Sequence, residues 1–172
     1  MATDWTTAAW FLPFVIPITV WVAWSDLATM KIPNKAVLAL MVVFVVVGLV
    51  AVPFNEYLWR YAHFGVVIVI GFVLSAAGLM GAGDAKFGAA MAPFIPLADL
   101  GLFFFILAAA TGAALILHLI IRYTSLKNLF PTWESLKPEE DRSLRKKHIP
   151  YGFGLAPALM FYFLLALYVG FA

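Results

Sequence analysis

The sequence predicts an all-α, polytopic membrane protein, and three observations predict it. Of its 172 residues 65% are hydrophobic and 12% charged, with a mean hydropathy of +0.99, well beyond the apolar share of a water-soluble domain. Five apolar runs reach the length of a spanning helix, for which about 17 to 25 residues suffice. The Lys and Arg residues also gather in the connections that one alternating path places on the same side. Spanning segments and their connections consume nearly the whole chain, so residues 1–172 are expected to form a single membrane-embedded domain.

The first run, Ala8 to Trp24, has no basic residue before Lys31. It lacks the positive flank of a cleaved signal and is expected to stay attached. The second, Ala36 to Val52, follows Pro33 and Asn34, and this pair supplies a helix start, since proline fixes a turn and Asn favours an N-cap. The third, Tyr61 to Met80, ends at the string MGAGDAK. Leu100 to Ile121 and Ile149 to Phe171 complete the five.

Between the third run and Leu100 lies Phe87 to Leu97, which carries Pro93 and Pro96. As a helix it would reach only about 16 Å, roughly half the hydrocarbon thickness. Charge decides whether it crosses. If it does, Lys31, Lys35, Lys86, Arg122, Lys127, Lys137, Arg142, Arg145, Lys146 and Lys147 share one side, with Arg60 alone on the other. If it does not, the seven basic residues from Arg122 to Lys147 change sides and the bias collapses to three against eight. The asymmetry expected of a cytoplasmic face selects about six crossings with the N-terminus out, the fourth short, Pro-interrupted and accommodated by tilt or a thinned bilayer. Residues 122–148 then form a cytoplasmic loop that mixes basic residues with Glu134, Glu139, Glu140 and Asp141, read as a solvated connector that enforces orientation.

Several function classes drop out. The absence of cysteine removes disulfides, thiolate catalysis and cysteine-ligated zinc. His63, His118 and His148 show no ligand spacing, so no metal is expected. His118, about one turn from Arg122, is expected at the cytoplasmic interface. The basic residues are accounted for by membrane orientation, and no nucleic-acid partner is expected. Trp5, Trp10, Trp24 and Trp59 fit an aromatic belt.

Two aspartates stand out against this background. Asp26 and Asp84 each sit where an apolar run gives way to polar residues, in WSDLATMKIPN and MGAGDAKFG. A carboxylate at such a boundary is inexpensive at a helix end, but a matched pair suggests shared chemistry. In the six-crossing topology both lie at cytoplasmic ends of inward-running helices, where they can meet. Two close carboxylates cannot both ionise cheaply; one keeps a proton while the other serves as a base, the arrangement of aspartic proteases. Gly81 and Gly83 remove side chains beside Asp84 and permit backbone conformations closed to other residues, so an extended substrate could lie along an irregular loop there. A helix is not expected to run through that stretch.

Asp26 followed by Lys31-Ile32-Pro33-Asn34, then Gly81-Ala82-Gly83-Asp84-Ala85-Lys86, resembles the paired signature of type IV prepilin peptidases, the GxGD-type membrane aspartic proteases. Ile149-Pro150-Tyr151-Gly152 is similar to the proline-aromatic-glycine segment that opens the last helix in that family. The short single-domain form resembles the type of the tight-adherence (Flp) pilus systems, since the cysteine-bearing extra domain of the larger enzymes has no counterpart.

The resemblance implies that Asp26 and Asp84 are the catalytic dyad and that Gly81 and Gly83 shape the loop. The substrate would be a prepilin or pseudopilin whose leader is cut at the cytoplasmic face of the bacterial inner membrane, with pilus assembly machinery as a further partner. Lys86 matches the signature's lysine; it could tune Asp84, hold lipid headgroups or simply follow the charge bias. Pro33, Asn34, Pro150, Tyr151 and Gly152 carry over as loop-shaping positions that could equally do no more than start their helices, although Gly152 allows close packing near the dyad. No glycine-rich nucleotide motif is present, so no cofactor is expected. Two other classes stay open. A small proton-coupled transporter would place its carboxylates near the bilayer midplane, and a non-catalytic pilus assembly scaffold would use the fold only to hold its partners.

Overall fold

The computed structural model describes residues 1–136 and 152–171, and among these no strand occurs. The described residues form six α-helices in succession: α1 (Trp5–Thr29), α2 (Asn34–Ala51), α3 (Phe54–Ala76), α4 (Ala82–Met91), α5 (Leu100–Tyr123) and α6 (Gly152–Phe171). All but α4 are long and apolar enough to cross a membrane. Phe72, Phe105, Val50 and Leu38 stand exposed on the helix faces, an apolar surface that a bilayer covers. The chain is a multi-pass membrane protein.

Local chemistry sets the helix ends. The Asp4 carboxylate accepts the Thr7 N–H at 3.1 Å and caps α1. At its other end Met30 adopts the left-handed conformation (φ 54°), its N–H returning to the Asp26 carbonyl at 2.9 Å. Pro33 occupies the cap position of α2 and Asn34 is the first helical residue, so Asn34 is not the cap that its residue type suggested. Pro13 and Pro17 lie inside α1, where a membrane helix tolerates them.

The six helices alternate in direction. At one end the Thr7 hydroxyl donates to the Ala51 carbonyl at 2.8 Å, and the Asp99 carboxylate accepts the N–H groups of Ala2 (2.8 Å) and Thr3 (3.0 Å) and the Tyr162 hydroxyl (2.7 Å). The N-terminal segment is thereby tied to the end of α2 and the start of α5. At the other end Asp26 meets the start of α6, and Ile32 meets the start of α4. α6 lies between α1 and α5, and α4 packs chiefly against α3. Phe11, Phe44, Phe94 and Phe163, all fully buried, interlock near the first end with ring centroids 4.9 Å apart for Phe11 and Phe94 and 5.3 Å for Phe44 and Phe94.

The fourth segment crosses from one end to the other, but not as the apolar run alone suggested. It starts at Ala82, five residues before Phe87, and the glycine-rich string is helical from its second residue. Ten residues of α-helix supply about 15 Å. The 3₁₀ turns Ala92–Phe94 and Leu97–Asp99, at a steeper rise of about 2 Å per residue, carry the chain the rest of the way.

Pro93 and Pro96 break the helix, and the carbonyls they leave behind are taken up by α3. Arg60, 3% exposed, donates to the carbonyls of Pro93 (3.3 Å) and Phe94 (3.2 Å) and pairs with Glu56 at 2.8 Å. His63 Nδ1 lies 3.1 Å from the Ile95 carbonyl. These contacts explain why α3 begins at Phe54 rather than at Tyr61: Asn55, Glu56 and Arg60 read as connection, yet Arg60 is turned inward. The basic residue on that side is a strut, not a surface charge.

Candidate active site

Asp26 sits in the last turn of α1 and is 5% exposed. Its Oδ2 accepts the Phe153 N–H at 2.9 Å, and the Gly152 N–H is also directed at the carboxyl. The last turn of α1 therefore caps the first turn of α6 from the side. Two of the four N–H groups that a helix start leaves without partners are satisfied by a carboxylate 127 residues away in sequence.

Asp84 is the third helical residue of α4, after the cap residue Gly81. Its Oδ2 leans back over Gly81, where a β-carbon would lie only 2.5 Å from it. Each carboxyl thus rests on the N-terminus of a helix, where the aligned peptide dipoles favour negative charge. The structure brings the two together: Asp84 lies within electrostatic reach of Asp26. The arrangement can hold two mutually repelling acids, because each has its own local source of positive potential.

The glycines act differently from the sequence expectation. Gly81 has φ −67° and ψ 140°, ordinary extended backbone, and Gly83 is helical. The one glycine at positive φ among the described residues is Gly78 (φ 73°), in the turn ahead of the motif. The helix runs through GAGDAK because Gly81 and Gly83 fall at its cap and first turn, where the helical cost of glycine is least felt. Gly81 leaves room for the Asp84 carboxylate, whereas at Gly83 a β-carbon would make only an ordinary 3.4 Å contact with the Ile32 Cβ.

Gly152 joins the site in the same way: a β-carbon on it would lie 2.9 Å from Asp26 Oδ2 and 2.9 Å from Ile32 Cδ1. Pro33 and Asn34 stand one turn away, partly buried and exposed respectively, and hold the turn that carries Ile32. Lys86 is exposed, one helical step past Ala85 on the far side from the core. Pro150 and Tyr151 lie outside the described residues, as do residues 137–148 of the loop. His118, one turn before Arg122 near the end of α5, is 5% exposed.

Sequence reasoning missed two parts of the site. Ile32 lies inside a string that drew attention for its neighbours, and its apolar character amid Lys31, Pro33 and Asn34 was the available signal. The Phe153 N–H leaves no trace in sequence at all. Beside Asp26 there is also an apolar cleft of about 310 Å³ between α1, α5 and α6, lined by Leu27, Trp24, Phe153 and Pro157 and roofed by Phe130 and Trp133. Trp133 stacks on Phe130 at 4.1 Å and meets Trp24 edge-on at 5.2 Å, so Trp24 is a wall of this cleft as well as a boundary residue. Among the described residues no three His, Cys, Asp or Glu side chains converge on a metal position.

Comparison with known families finds a match to the type IV leader peptidase family over residues 13–117, a span that holds both aspartates, Ile32 and all of α4. No curated protein matches the chain, and no solved structure does.

Proposed function

The chain belongs to the type IV leader peptidase family, and we propose that it is an aspartic endopeptidase in which Asp26 and Asp84 together hydrolyse the leader peptide bond of a prepilin or pseudopilin. The observation that carries this reading is the meeting of two carboxyls at one end of the bundle, each on a helix start and each within the other's field. A pair so placed shares a proton. The ionised member draws a proton from a water held between them, the water oxygen adds to the peptide carbonyl, and the neutral member donates to the carbonyl oxygen. Collapse of the tetrahedral intermediate breaks the C–N bond as a proton passes to the departing amine. No side-chain nucleophile is needed.

The apolar cleft beside Asp26 suits a substrate whose scissile bond adjoins a membrane-embedded apolar segment. Lys31, Lys35 and Lys86 are exposed around the same end, which supports placing the site at the cytoplasmic face of a bacterial inner membrane. A pilin of the tight-adherence (Flp) class is the substrate this reading proposes. A proton-coupled transporter is less well supported, because its carboxylates belong at mid-depth and these lie at helix ends.

The test is to coexpress the chain and a candidate pilin with Asp26→Asn and Asp84→Asn variants and follow the pilin's size. Asn at 26 can still accept the Phe153 N–H, so the α6 cap survives while the acid–base function does not. Processing is expected to stop in both variants with folding intact. Normal cleavage by either variant refutes the proposal.

A further inference from the structure

We propose that Ile32 is the spacer that sets the gap between the two carboxyls, a positioning residue of the site; the inference rests on the dyad reading above. The turn between α1 and α2 inserts Ile32 where the starts of α4 and α6 approach each other. Its Cβ faces Gly83 of α4 and its Cδ1 faces Gly152 of α6, both positions without a side chain. Gly83 immediately precedes Asp84, and Gly152 is the residue whose N–H is directed at Asp26. One side chain therefore lies against the start of α4, which carries Asp84, and the start of α6, which hydrogen-bonds Asp26, one residue or one hydrogen bond from each acid.

The spacer is itself held firmly. On one side Met30 closes α1 in the left-handed conformation, hydrogen-bonded to the Asp26 carbonyl; on the other the Pro33 ring fixes φ at −65°. Ile32 is half-buried and packs on the core, and branching at Cβ restricts its rotamers, so its width is defined. That width matters because the interaction between two like charges depends on their separation, and the same interaction splits the two protonation steps of the pair. The separation is thus legible in the distance between the acidic and basic limbs of the pH–rate profile.

The experiment compares full pH–rate profiles of the wild type, Ile32→Ala, Ile32→Val and Asp26→Asn on one pilin substrate, with melting temperatures in parallel. In Ile32→Ala kcat is expected to fall about tenfold with KM changed by less than about twofold. The spacing of the two limbs should shift by at least about half a pH unit. Ile32→Val, which lacks only the Cδ1 that faces Gly152, should move the limbs in the same direction by less. An Ile32→Ala enzyme whose limbs stay in place, and whose activity falls only with its folded fraction, overturns the proposal and makes Ile32 a packing residue. Should Ile32→Ala not fold, unmoved limbs in Ile32→Val overturn it equally. Cleavage by Asp26→Asn would instead refute the dyad, a result distinct from either.

Discussion

Replacing Gly152 with alanine adds one methyl group at a crowded point of the site. The new carbon would lie 2.9 Å from both Asp26 Oδ2 and Ile32 Cδ1, closer than real contacts allow, and 3.0 Å from the Asp26 Cγ. Something must move, and the carboxylate is the mobile partner. Helix propensity alone predicts a gain of up to about 1 kcal/mol, since alanine replaces glycine in a helix. Against this, a displaced Asp26 loses a charge-assisted hydrogen bond to Phe153, worth about 1.5 to 3 kcal/mol. The net is a destabilisation of about 0.5 to 3 kcal/mol, a few degrees in melting temperature. On the dyad reading the effect on turnover should be far larger, about 100-fold, because Asp26 is pushed beyond the positional tolerance of an acid–base group. The assay is a time course of pilin cleavage by detergent-solubilised enzyme, beside a thermal melt. Gly88→Ala, where the added carbon meets nothing within 4 Å, serves as control and should be as active as the wild type. A Gly152→Ala enzyme within about twofold of wild-type turnover would refute the claim that Asp26 and the start of α6 form one unit.

The two glycines of the α4 start should part company. Gly81→Ala places a carbon 2.5 Å from Asp84 Oδ2 and is expected to lower cleavage at least about tenfold, whereas Gly83→Ala makes an ordinary 3.4 Å contact and should stay within about threefold in the same assay. Gly83→Val, whose branches press on Ile32, should impair cleavage while leaving membrane insertion intact. Arg60→Ala strands buried carbonyls of Pro93 and Phe94 and should destabilise the fold by about 3 kcal/mol, measured by thermal melting, with activity per folded molecule retained. Tyr162→Phe removes one of the donors to Asp99 at the opposite end and should cost about 1 to 2 kcal/mol with no change in the pH–rate profile.

Much of this protein is written in its sequence because a membrane asks simple questions of a chain. Length and apolarity mark the five long helices, and the charge asymmetry is what shows that the Pro93 and Pro96 segment must return the chain across. From that path alone Asp26 and Asp84 fall at the same end, which the structure reproduces. What the sequence hid depends on contacts between distant residues. Arg60 looked like a loop cation because its partners, the carbonyls of Pro93 and Phe94, exist only after the later segment is in place. The GAGDAK string looked irregular because glycine is a poor helix former in isolation; its helix is anchored by packing, with Gly71 of α3 close enough that a β-carbon would come to 2.9 Å from Ala85. Asp26 looked like an acid at a boundary, and only the fold shows it capping α6.

The central claim is that Asp26 and Asp84 work as one unit, and a double-mutant cycle on cleavage rate tests it most directly. Rates are measured for Asp26→Asn, Asp84→Asn and the combined variant, with each shown to be folded by its melting curve. The account predicts that either single substitution lowers the rate to the same residual level as the pair, since an acid without its partner base is as idle as no acid at all. Single variants that keep substantial activity, with losses that multiply in the double variant, would mean that the two aspartates act independently.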